Sequence, residues 1–123
     1  MISKITFFWL PKPQDHDYLS AKSYLSLLFD KKATSKLIDR LRKSDMTEFQ
    51  AKDIFRASGL PLLGINNSHV LKDKKKITAK MKLSPILLVR DTSRGRVIIA
   101  DGYHRMCAVY YFDEDAVIPC KII

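Results

Sequence analysis

The sequence predicts an α+β domain, a small mixed sheet with helices around it. Three observations carry this. Ile86-Leu-Leu-Val89 is a short run that is apolar at every position, as a central strand buried on both faces requires. Val97-Ile-Ile-Ala100 follows after a turn at Thr92 to Gly95 and reads as the next strand. Asp101-Gly102 then stops that strand and starts a helix, with Met106, Val109 and Tyr110 toward the core.

The remaining elements follow in order. Ile2 to Leu10 is apolar and aromatic and reads as a short strand or a packed arm, ended by Pro11 and Pro13. Tyr18, Ala21, Leu25 and Leu28 recur at helical spacing, with Asp17 placed to cap the start. A second helix is expected from about Ser35 to Lys43, with Leu37, Ile38 and Leu41 inward and Asp39 positioned to pair with Lys43. Ala51 to Ser58 is a short helix closed by Gly59, with Pro61 beyond it. Ser68 is a candidate cap for a lysine-rich helix whose apolar positions are Val70, Leu71, Ile77 and Met81. Val117 to Ile123 reads as a last strand.

A chain of 123 residues, 46% of them apolar, has the size of one domain and too much apolar content for disorder. No apolar run approaches the length that spans a bilayer, so no membrane partner is expected. The N-terminus lacks a small-residue cleavage pattern, and the expected location is cytoplasmic. Cys107 and Cys120 lie far from any metal-ligand spacing and read as two buried, reduced thiols. Asp15, His16 and Asp17 have metal-ligand character, but no second cluster completes a site. A solvated turn with a helix cap is the reading, and no metal ligands are assigned.

The formal charge is +9, from 22 Lys+Arg against 13 Asp+Glu, which favours polyanionic partners. The excess is uneven. Six lysines and a single Asp73 fall between His69 and Lys82, whereas Asp113-Glu114-Asp115 is acidic. Aromatic residues do not support base stacking, because Phe7, Phe8, Trp9, Tyr24 and Phe29 interleave with apolar residues as core positions do.

The stretch with chemical content is Asp101-Gly-Tyr-His-Arg105. A helix start exposes backbone N–H groups and about half a positive charge, which attracts phosphate. Gly102 permits a backbone conformation closed to other residues and the close approach of an anion. Arg105 has the forked geometry for phosphate oxygens, and His104 can donate or exchange a proton. Asp101 has three candidate roles: helix cap, metal holder or partner of a sugar hydroxyl. The motif also sits at the carboxyl end of a strand, where open sheets place ligands.

Pro85-Ile-Leu-Leu-Val89, the turn, Ile98-Ile-Ala-Asp-Gly-Tyr-His-Arg105 and Ile118-Pro119 together resemble the core of the ParB N-terminal domain, shared with sulfiredoxin and the free serine kinases. The resemblance covers about residues 47–123 of a single domain over 1–123, with residues 1–46 as a helical N-terminal extension. It implies a bound nucleoside phosphate such as ATP, CTP or ADP; for a phosphotransferase, magnesium on the phosphates is expected as well. By position it implies phosphate contacts from Gly102, Tyr103, His104 and Arg105, and from His69, Lys72 and Lys76 in the preceding helix. Asp101 and His104 are the candidate catalytic residues, either one assisting proton transfer if the protein is a phosphotransferase.

The departures limit the function. Sulfiredoxin carries its catalytic cysteine directly before the His-Arg pair, where Tyr103 stands here, so that activity is not expected. ParB carries a Glu-Arg-Arg run after its glycine and a helix-turn-helix beyond this domain. Centromere-specific binding by this polypeptide alone is therefore not expected either. A nucleotide-binding module that hydrolyses or switches is the leading expectation. A small-molecule phosphotransferase, with Glu48 or Asp53 as further acid, and a nucleic-acid-binding or nicking module using the lysine helix are the alternatives.

Overall fold

The computed structural model describes residues 5–123, so the Ile2–Lys4 part of the expected N-terminal strand lies outside the described residues. The order is β1 (Phe8–Trp9), α1 (Asp15–Leu25), α2 (Lys31–Lys43), β2 (Thr47–Gln50), α3 (Ala51–Ser58), α4 (Ser68–Thr78), β3 (Lys82–Leu83), β4 (Ile86–Asp91), β5 (Arg96–Asp101), α5 (Tyr103–Phe112) and β6 (Val117–Ile122). The class is α+β.

The main sheet has four strands in the order β2-β6-β4-β5, with β4 parallel to β6 and the other pairs antiparallel. Its apolar strand β4 is interior, as continuous apolar character demands. Alternate side chains feed two cores. Ile86 and Leu88 join Ile54, Val70, Met106 and Val109 on the α3–α4–α5 side. Leu87 and Val89 join Tyr18, Leu25, Ile38 and Leu41 on the α1–α2 side. The short parallel pair β1–β3 is a separate sheet.

Local chemistry moves several expected boundaries. The α1 helix is capped by Gln14, not Asp17. Asp17 stands at the third helical position, and its Oδ2 accepts from the Gln14 backbone N–H at 2.8 Å. The α2 helix begins at Lys31, because the Asp30 carboxylate accepts from Ala33 N–H, four residues before the expected start at Ser35. Asn67 rather than Ser68 caps α4, since its side-chain oxygen accepts from both His69 and Val70 N–H. Gly59 closes α3 in the left-handed region, as expected. Met81 lies beyond the end of α4 and is 52% exposed, so it is not a core position. Leu28 also lies beyond its helix and is exposed.

Cys107 and Cys120 are buried free thiols, and burial pushes both thiol pKa values up. No helix among the described residues is long and apolar enough to cross a membrane.

Candidate functional site

The β5 strand delivers Asp101 to its carboxyl end, and Gly102 (φ 103°) turns the chain into α5. Opposite this turn runs α4. Their approach forms a cleft of about 180 Å³ lined by His69, Lys72, Asp73 and Lys76 from α4 and by Asp101 through Arg105. Every residue assigned to the site from sequence thus borders one concavity. Three come from one helix and the rest from a turn far along the chain.

The Arg105 guanidinium is not free in that cleft. Its Nη2 donates to Asp101 Oδ2 at 3.1 Å and to the Pro85 carbonyl at 3.4 Å. Its Nη1 lies 3.8 Å from Asp17 Oδ1, on α1. Side-chain exposures are 17% for Arg105, 15% for Asp101 and 2% for Asp17, so the three charges form a largely buried network joining α1, β5 and α5. Asp17 is therefore neither the cap nor the solvated turn residue its neighbourhood suggested. Asp101 likewise does not cap α5, where Gly102 takes the cap position. Arg105 Nε is buried without a partner among the described residues.

Gly102 is needed for a reason other than ligand approach. A Cβ there would overlap Ile86 Cδ1 and stand 2.9 Å from Arg105 Nη2. The space beside the glycine holds the protein's own side chains.

The cleft's accessible cations are the lysines. Lys76 Nζ is 4.0 Å from Asp73 Oδ1, and among the described residues no carboxylate is within ion-pair distance of Lys72. His69 and His104 face each other with ring centroids 4.8 Å apart. Burial, and then the neighbouring His69, lower the His104 pKa against the pull of Asp73, which favours a neutral imidazole at neutral pH. Tyr103 donates its hydroxyl to the Pro61 carbonyl at 2.6 Å, tying the loop after α3 to the start of α5.

Glu48 and Asp53 do not approach this cleft. Glu48 is on β2, at the opposite edge of the sheet from β5. Asp53 lines a separate cavity with Phe49, Leu88 and Arg90. Tyr24, expected in the core, is 42% exposed at the side of α1.

Asp101 carries a measurable consequence. Burial, opposed by Arg105 and reinforced by Asp17, raises its pKa from 3.8 to about 6. A folded-state pKa above the unfolded one means that the fold retains the proton. The stabilisation is full below about pH 3.8 and is lost as pH rises through about 6. Asp101→Asn keeps an oxygen for Arg105 and removes this titration. Its stability relative to wild type is expected to rise by on the order of 2–3 kcal/mol between pH 4 and pH 7. Urea denaturation at intervals of half a pH unit would show it, and parallel stability curves for the two proteins would refute it.

The chain matches no protein-family model, and no curated protein or solved structure is significantly similar to it.

Proposed function

We propose that the protein binds a nucleoside di- or triphosphate (ATP, CTP or ADP), with the phosphates in the cleft between α4 and the start of α5. The observation that carries this reading is the convergence of Lys72, Lys76, His69 and His104 on a helix N-terminus at one concavity. First-turn amides of α5 and the imidazoles of His69 and His104 supply directional donors, and the two ammonium groups supply charge. Arg105 contributes from behind. Held by Asp17 and Asp101, it fixes the turn and adds to the potential without serving as the exposed fork.

The strand–turn–helix order around Asp101-Gly102 supports membership of the ParB/sulfiredoxin superfamily, with α1 and α2 as an addition to that core. Binding is favoured over phosphoryl transfer because the two acids considered as bases, Glu48 and Asp53, lie elsewhere. Of the two cleft carboxylates, Asp101 is engaged by Arg105, and Asp73 is the one that would face a magnesium ion arriving on the phosphates.

Lys72→Ala and Lys76→Ala are each expected to weaken nucleotide binding about three- to tenfold, and the double variant more. The wild-type affinity should fall with added salt more steeply than that of the variants, because flexible ammonium groups near solvent are readily screened. Calorimetric titration with magnesium nucleotides at two salt concentrations decides it. Unchanged affinity in the double variant would remove the cleft from consideration.

A further inference from the structure

The Gly102 turn has a second concavity on its other side. A chamber of about 380 Å³ is bounded by Ser20 and Tyr24 of α1, Leu60 beyond α3, Ile99 and Ala100 of β5, and Asp101 through His104. Asp101, Gly102, Tyr103 and His104 border both this chamber and the lysine cleft, so the two are neighbouring compartments across one wall. We propose that the chamber seats the base and sugar of a nucleoside phosphate whose phosphates lie in the cleft, and that α1 thereby completes the binding site. This rests on the phosphate-binding reading of the cleft.

Size and chemistry argue together. The cleft, at about 180 Å³, is smaller than the concavities that enclose whole organic ligands, roughly 300–1,000 Å³, whereas cleft and chamber together fall inside that range. Their linings differ as the two halves of a nucleotide differ. The cleft presents lysines and imidazoles, while the chamber presents the Tyr24 and Tyr103 rings, Leu60 and Ile99, with Ser20, Asp101 and the shared His104 as its polar members. Tyr24 is the telling residue. Core packing does not account for its ring, which is 42% exposed, and a base stacking on that face would cover it. Ser20 and Asp101 are chemically suited to sugar hydroxyls. On its far side the chamber shares Tyr24, Leu60 and Ile99 with a groove of about 450 Å³ along β5, so a purine is not excluded by size.

The test compares a magnesium nucleoside triphosphate with inorganic tripolyphosphate, which has the phosphates and no nucleoside. Both are titrated calorimetrically into wild type, Tyr24→Ala and Tyr24→Phe. The nucleotide is expected to bind wild type at least tenfold more tightly than tripolyphosphate. Tyr24→Ala is expected to erase most of that advantage while leaving tripolyphosphate affinity unchanged, and Tyr24→Phe to retain the advantage. If tripolyphosphate binds wild type as tightly as every nucleotide tried, the nucleoside subsite is wrong and the phosphate cleft stands. An advantage that survives Tyr24→Ala, or a variant that weakens both ligands equally, overturns the role of α1. If neither ligand binds wild type, the phosphate-binding reading falls and takes this inference with it.

Discussion

Arg105→Ala is expected to destabilise the domain by about 3–5 kcal/mol at neutral pH, the usual cost of removing one member of a buried charge network. The substitution strands two carboxylates. Asp17 is 2% exposed and is left with the Gln14 N–H, the surface imidazole of His16 and the like-charged Asp101 as neighbours among the described residues. Asp101 loses its 3.1 Å bond to Nη2. Neither can regain full hydration without opening the junction of α1 with β5, so the penalty falls on folding rather than on the cleft alone.

A variant that removes the charges together should behave differently. Asp17→Asn, Asp101→Asn and Arg105→Met combined are expected to recover most of the loss, since no unpaired buried charge remains. Chemical denaturation of the three proteins measures both effects. A loss below about 1 kcal/mol for Arg105→Ala would mean that the network is as weak as a surface ion pair. Nucleotide affinity in Arg105→Ala has meaning only where the protein is shown to be folded.

What the sequence revealed and what it hid divide along physical lines. Strands β4 and β5 and the helix after Asp101-Gly102 were legible because burial on both faces and a glycine at a strand end leave strong local marks. That α4 and the α5 start border one cleft is seen in the fold, while the sequence pointed to His69, Lys72 and Lys76 only by position within the resemblance. Strand β2 lacks a pattern of its own, since all four of its residues are exposed. The pairing of β1 with β3 involves two residues on each side, too few to show a period. The cap of α4 was misplaced by one residue because Asn67 and Ser68 are both good caps, and the choice lies with the one that satisfies two amides.

The site was misread where a residue's role depends on distant partners. Asp17 sits among Asp15, His16 and Pro13, a polar neighbourhood that reads as solvated, and its burial follows from an arginine on a different element. The same contact turned Arg105 inward. Tyr24 follows the helical apolar spacing of α1 yet falls on the rim of that face, where periodicity alone does not separate core from edge.

Gly102→Ala is the complementary case, in which a single methyl should cost about 3 kcal/mol or more. Two separable effects contribute. The backbone at φ 103° lies in a region that residues with a Cβ rarely adopt, a strain of about 1–3 kcal/mol. The added Cβ also overlaps Ile86 Cδ1, and Ile86 is fully buried at the start of β4, so its side chain cannot swing out to solvent. Overpacking of this kind adds about 1–3 kcal/mol. A double-mutant cycle with Ile86→Val, which lacks the offending methyl, separates the two. Ile86→Val alone should cost about 0.5–1.5 kcal/mol. In the Ile86→Val background the penalty of Gly102→Ala should shrink toward the backbone strain and the 2.9 Å approach to Arg105 Nη2, so the coupling should be favourable by at least about 1 kcal/mol. Additive losses would place the cost in the backbone and the Arg105 contact rather than in Ile86. A Gly102→Ala protein as stable as wild type would show that the turn from β5 into α5 differs from the one described.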